Sequence, residues 1–228
     1  MNVAILFSGG KDSCLATWYA LHQGWNVKSL LVMEPHDPDS WMFHHPAVRW
    51  THLQGQALGI PVNLISTSSQ KDKELDVMQD SLAALKERHR LRGVVSGAVA
   101  SGYQKRKIDS VCEQIGLASF APLWSKDPEL LLDQMVDLGF EMNFVGASAL
   151  GLDESWLGRR LDRSSIVKLK ELSRKYGIHL SGEGGEYETF VTDAGFFRAR
   201  IRLTKVSKCW TGSSGFLVIH EAELASKQ

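Results

Sequence analysis

Short apolar runs and longer mixed stretches alternate along the first half of the chain. Residues 3–7 and 27–33 read as strands, as do 61–67 and 94–99. The unbroken apolar character of the first run is that of a strand buried on both faces of a parallel sheet. Between these runs, residues 14–21, 47–58, 71–90 and 103–115 carry apolar positions at helical spacing. Leu15, Trp18 and Leu21 form the inward face of the first helix, and Leu75, Met78, Leu82 and Leu85 that of the third. Gly59 and Gly116 stand where two of the helices should stop. Strand and helix in regular alternation predict an α/β fold, a doubly wound parallel sheet. The rhythm changes near Trp124. A helix over 128–138 and a strand over 141–147 are followed by a glycine-rich, tryptophan-bearing segment at 151–160 and a helix over 164–176. Short strand-like runs at 190–192, 196–203 and 215–220 then suggest an antiparallel or mixed sheet. The expected organisation is a nucleotide-binding domain over 1–124 and a smaller α+β, substrate-binding domain over 125–228.

The first strand runs into Ser8-Gly9-Gly10-Lys11-Asp12-Ser13 and then into a helix. Two glycines let the backbone turn and approach a ligand closely, and N–H groups at the helix start, aligned with its dipole, bind anions. The turn lacks the hydroxyl residue that must follow the lysine in a Walker loop, and it lacks the spacing of a dinucleotide fingerprint. Loops at the carboxyl ends of the other parallel strands, such as the proline-broken stretch 34–40, are further places where such a sheet binds ligands.

Composition narrows the choice. Lysine plus arginine equal aspartate plus glutamate, 26 against 26, which argues against an extended nucleic-acid footprint. The three cysteines, Cys14, Cys112 and Cys209, form no C-x-x-C pair, so neither a disulfide framework nor a structural zinc site is expected. Cys14 sits at a helix N-terminus, where a thiol pKa can fall, but packing accounts for it and it is assigned no catalysis. No apolar run reaches the ~18 residues of a membrane span. A cytoplasmic protein without membrane attachment is expected.

SGGKDS resembles the pyrophosphate loop (PP-loop) of the N-type ATP pyrophosphatases, of the adenine nucleotide alpha hydrolase-like fold, which cleave ATP between the α and β phosphates. By that resemblance Ser8, Gly9, Gly10, Lys11, Asp12 and Ser13 hold ATP and the departing pyrophosphate, and Asp12 helps to place Mg2+. Three further blocks are GAVASGYQKRK from Gly97, GLDESWLGR from Gly151 and GEGGEYET from Gly182. With Met42-Phe43-His44 and Ala121-Pro122-Leu123-Trp124, they resemble the diphthine ammonia ligase family over about residues 1–200. The family resemblance implies adenylation of the diphthine carboxylate on elongation factor two, followed by displacement of AMP by ammonia to give diphthamide. Free ammonium is the expected nitrogen donor, since no glutaminase segment is visible, and a homo-oligomer is left open. The alternatives are amidation of a small metabolite and a non-catalytic ATP-binding sensor.

The residues suit that chemistry in several places. Glu183, Glu186 and Glu188 put three carboxylates on a glycine-loosened loop, able to bind a magnesium-bearing phosphate, to orient ammonium or to take its proton. The bland alternative is a solvated acidic turn. Tyr103, Gln104, Lys105, Arg106 and Lys107 begin a helix after the fourth strand and could neutralise phosphate charge, although only one or two should point inward. The family usually has aspartate where this chain has Gly102. Asp153 and Glu154 suit a helix cap; Trp156 offers a flat surface, or else a buried anchor, and Arg159 a fork for phosphate or carboxylate. His44 is a substrate or adenine contact by resemblance, since no third ligand is spaced to make a metal site with His45.

Overall fold

The computed structural model describes residues 1–35, 47–67 and 71–227. In chain order its elements are β1 (Asn2–Leu6), α1 (Lys11–His22), β2 (Asn26–Pro35), α2 (Thr51–Leu58), β3 (Val62–Thr67), α3 (Lys71–His89), β4 (Gly93–Val95), α4 (Gly102–Gln114) and β5 (Ala118–Phe120). Then come α5 (Pro128–Asp137), β6 (Glu141–Ala147), α6 (Arg163–Tyr176), β7 (Tyr187–Asp193), β8 (Arg200–Thr211) and β9 (Ser214–Ala225). The chain forms two compact units. The described residues of the first are 1–8, 12–35, 59–67 and 71–124, and those of the second are 9–11, 47–58 and 125–227.

The first unit is a five-stranded sheet in the order β3-β2-β1-β4-β5, with every pairing parallel. On one face Ala4 of β1 and Val94 of β4 pack with Met78, Leu82 and Leu85 of α3 and Val111 and Cys112 of α4. Val3 and Ile5 point to the opposite face and are equally buried, so the central strand is covered on both sides. Chain order reverses between β1 and β4, which places the switch point of the sheet at the carboxyl ends of those two strands. Ser8 follows β1 there, and Ser96 and Gly97 follow β4. The fourth strand is shorter than the expected 94–99, because the chain leaves the sheet after Val95. The inward face of α1 also differs from the expected one: Leu15, Ala16, Thr17 and Ala20 are fully buried, whereas Trp18 and Leu21 are only partly so.

The second unit is an antiparallel four-stranded sheet in the order β7-β6-β9-β8. Its core holds Leu131, Leu132 and Met135 of α5, Met142 and Phe144 of β6 and Phe190 of β7. The last two expected strands are one long hairpin, with Thr211 opposite Ser214 across a two-residue turn. Gly212 alone has a positive φ there, 62°, as a type II′ turn requires at its first central position. Residues 9–11 and 47–58, expected with the nucleotide-binding part, belong to this unit. The reason is the outer edge of β7. The Val191 N–H donates to the Gly9 carbonyl at 3.1 Å, and the Lys11 N–H to Thr189 Oγ1 at 3.1 Å. Residues 9–11 thus lie along an edge strand and satisfy one of its N–H groups, that of Val191.

Candidate functional site

The residues of the SGGKDS turn fall in both units, and each part is built by its own neighbours. In the first unit Ser8 and Ser13 close the turn on itself. Their hydroxyl oxygens are 3.2 Å apart, and the Ser8 N–H donates to Ser13 Oγ at 3.3 Å. Thr17 Oγ1 donates to the Ser13 carbonyl at 2.8 Å, one turn further along α1. Gly97, after β4, packs directly on this helix start. A Cβ at that position would lie 2.8 Å from both Asp12 C and Ser13 N, so only glycine lets the two backbones touch. The arrangement is a helix N-terminus backed by a second loop at a sheet switch point, a setting suited to an anion. Asp12 is the one carboxylate on the turn. Burial pushes the Cys14 thiol well above its usual value and the Asp12 charge adds to the effect, so Cys14 is a packing residue and no nucleophile.

In the second unit Gly9, Gly10 and Lys11 meet GEGGEYET. Lys11 is only 4% exposed, and its Nζ donates to the Ser181 carbonyl at 2.6 Å. The ammonium also stands 5.4 Å from the centre of the Tyr187 ring. Ser181 is itself fixed, its Oγ 2.9 Å from His179 Nδ1. On α2, the fully buried Gln54 donates through Nε2 to the carbonyls of Gly9 and Val191, each at 2.8 Å. His179, Ser181 and Gln54 were not among the expected site residues. Gln54 gave one signal, a polar residue in line with the apolar stripe of α2.

The structure divides the glutamate trio. Glu186 turns into its own loop, Oε1 accepting from the His179 N–H at 2.7 Å and Oε2 from the Gly184 N–H at 2.8 Å. Glu188 lies on the face of β7 opposite to Tyr187 and Thr189, where its side chain covers Gly146. Glu183 is half-buried at the loop. Among the described residues no group of three or more His, Cys, Asp or Glu is placed to hold a metal. Glu186→Gln removes one acceptor from this brace. It is expected to lower turnover about tenfold and stability by about 1–3 kcal/mol; steady-state rates and urea titration measure the two effects.

The remaining expected residues have local partners. Ser101 caps α4. Lys105 pairs with Asp109 at 2.6 Å and lies 5.7 Å from the Trp124 ring centre, and Lys107 sits over Tyr103. Tyr103, Arg106 and Lys107 line a groove with Leu75, Asp76 and Gln79 of α3, and Gln104 is exposed. A side chain at Gly102 would face the Arg106 guanidinium, 3.2 Å away, so an acidic residue there would pair with that arginine. Asp153 caps the 3-10 turn Glu154–Trp156, and hydrogen bonds from the Ser155 hydroxyl and N–H hold its carboxyl below the usual range. Glu154 is exposed. Trp156 is the buried anchor, edge-on to Phe144, with the Arg159 guanidinium stacked over its ring. His44 lies outside the described residues.

Comparison with known proteins joins the two parts into one family. Residues 1–119 match the diphthamide synthase N-terminal domain, and residues 127–225 match the diphthamide synthase C-terminal domain. The chain belongs to the diphthamide synthase family. It is 31% identical to the diphthine–ammonia ligase of Homo sapiens, over 98% of this chain and 87% of the human protein. Identity to the diphthine–ammonia ligase of Rattus norvegicus is 33%, over 88% and 82% of the two chains. The Schizosaccharomyces pombe diphthine–ammonia ligase is 34% identical over 90% of this chain but only 36% of its own length. No helix among the described residues is long and apolar enough to cross a membrane.

Proposed function

We propose that this diphthamide synthase family member is a cytoplasmic, ATP-dependent amide ligase acting on diphthine in elongation factor two. A carboxylate oxygen of diphthine attacks the α-phosphorus of ATP, the bond to the β-phosphate oxygen breaks, and pyrophosphate leaves. Ammonia, having lost the proton of ammonium, then attacks the acyl carbon; AMP leaves, and the nitrogen sheds a second proton to become the amide. The observation that carries the reading is the bonding of Lys11, from the pyrophosphate-loop motif, to Ser181 and Thr189, in or beside GEGGEYET. A nucleotide sensor has no need for two signature motifs built into one structure.

Within this reading, Ser8, Ser13 and the N-terminus of α1 bind the β and γ phosphates, and Lys11 tethers the loop to the second motif. Magnesium enters with the nucleotide. Asp12 supplies the loop's carboxylate for it, and a single protein oxygen fits an ion that keeps phosphate and water as most of its ligands. The ion would spread the negative charge of the leaving pyrophosphate. Glu183 is the carboxylate assigned to ammonium.

Incubation with ATP, magnesium, ammonium and diphthine-bearing elongation factor is expected to yield AMP, pyrophosphate and the mass change of amidation. ADP as the main product would remove the pyrophosphatase assignment. AMP and pyrophosphate formed on another carboxylate, with diphthine untouched, would move the substrate to a small metabolite.

A further inference from the structure

The sheet of the second unit splits at one point, and the gap is lined by arginines. β6 and β9 are paired only at Gly146 with Phe216 and at Ala147 with Gly215. Toward the start of β6 the β8–β9 hairpin diverges from it, and a groove of about 560 Å3 opens between them. Its lining holds three guanidinium groups, those of Arg160, Arg200 and Arg202, against the single carboxylate of Glu141. None of these residues has a part in the chemistry proposed above.

Glu141 shows what these arginines bind. Its Oε1 lies 3.3 Å from Arg160 Nη2 and 2.9 Å from Arg200 Nη2, so one carboxylate oxygen serves two guanidinium groups. Arg200 also reaches Asp193 at 3.8 Å, a carboxylate already held by Lys227 at 2.7 Å, and Arg202 lies 3.5 Å from Glu223. A guanidinium carries five N–H donors in a planar fork, so the groove offers more donors than these carboxylates engage. The side chains of Arg160 and Arg202 are each more than half exposed and within reach of an incoming acid. Part of the lining is apolar: Ile201 and Leu217 are buried in it, and Val206 is exposed.

A free phosphate ion would leave that apolar surface unused. A nucleic acid calls for a broadly basic surface, whereas this chain balances 26 basic against 26 acidic residues. Guanidinium groups beside apolar side chains match an extended peptide in which acidic and apolar residues mix. We infer that this groove docks such an acidic segment of the protein that carries the acceptor carboxylate. The inference rests on the reading that the acceptor is diphthine on elongation factor two. Docking contacts are the same in the ground and transition states, so their loss appears in KM for the protein substrate and not in kcat.

The test uses the full chain and diphthine-bearing elongation factor. Amidation by the unaltered protein comes first, and its absence overturns the reading of the substrate, and this inference with it. The double variant Arg160→Gln, Arg202→Gln then removes two charges from the groove; exposed ion pairs add little stability, so a single unfolding transition near that of the unaltered protein is expected. In the folded variant KM for the elongation factor should rise about tenfold, with kcat and KM for ATP within about twofold. The difference should narrow as salt is added, because the lost contacts are electrostatic. An unchanged KM for the factor overturns the inference and leaves the reading of the substrate intact. Should the variant not fold, arginine modification of the unaltered protein by a dicarbonyl reagent decides: bound elongation factor should protect Arg160 and Arg202, and equal modification with and without it overturns the assignment.

Discussion

Asp12→Asn is expected to lower the rate of AMP formation about 10³-fold while leaving the unfolding transition almost unmoved. Asparagine has the same shape and keeps one carbonyl oxygen, so the backbone of the turn has no reason to change. What disappears is the negative charge on the SGGKDS turn, at a helix start whose dipole otherwise favours anions. Under the proposed chemistry that charge balances a magnesium ion arriving with ATP, and losing a preorganised electrostatic contact of this kind typically costs 10²–10³ in rate. The effect should be graded by metal. The magnesium concentration giving half-maximal rate should rise in Asp12→Asn, whereas a purely structural role would leave it where it was. Rapid-quench measurement of AMP across a magnesium series reads both quantities, and an unchanged half-maximal concentration would sink the assignment of Asp12.

Gly97→Ala tests the other wall of the same turn and should cost about 10²-fold in kcat/KM for ATP. A single methyl group there meets two backbone atoms, Asp12 C and Ser13 N, both at 2.8 Å, with Asp12 O at 3.0 Å. Unlike a side-chain clash, this one cannot be relieved by a rotamer change, so the helix start or the loop after β4 must shift by several tenths of an ångström. Displacements approaching 1 Å at a reacting group cost about 10²-fold even when no contact to substrate is deleted. Isothermal titration with a non-hydrolysable ATP analogue should show the loss mainly as weaker binding. Near-normal affinity would mean that the turn is not where the nucleotide phosphates sit.

Legibility in the sequence followed burial. The strands of the first sheet announced themselves wherever both faces are covered, since Val3, Ala4 and Ile5 leave no polar position in the run. Ala118–Phe120 was invisible because three residues, none of them fully buried, make no pattern. The long β8–β9 hairpin was under-read for a related reason: residues 204–208 of β8 are all exposed and, apart from Val206, polar or charged, so the period of two is lost. At the site, the SGGKDS turn and GEGGEYET were both readable as motifs. Their bonding through Lys11 was not, because 170 residues separate the partners and neither motif encodes the register in which they meet. The glutamates misled for a chemical reason. Three carboxylates close in sequence look like one cluster, but a strand sends Glu188 to the face opposite Tyr187 and Thr189, and loop N–H groups claim Glu186.

Because Gly9–Lys11 closes the outer edge of β7, the second unit is built from segments far apart in the chain. On the ribosome, residues 9–11 emerge some 170 residues ahead of Ser181, the partner of Lys11. Until residue 181 has been made Lys11 has no Ser181 to bind, and a nascent chain released before then carries a turn whose anchor is missing. Contacts of such long range also slow folding, since the loop between them must close before they contribute. A fragment that starts after Trp124 would keep the sheet but present β7 with its edge exposed, ready to pair with another copy. Under the proposed chemistry, the loop assigned to ATP is thereby finished only when the later segment assigned to ammonia has been made.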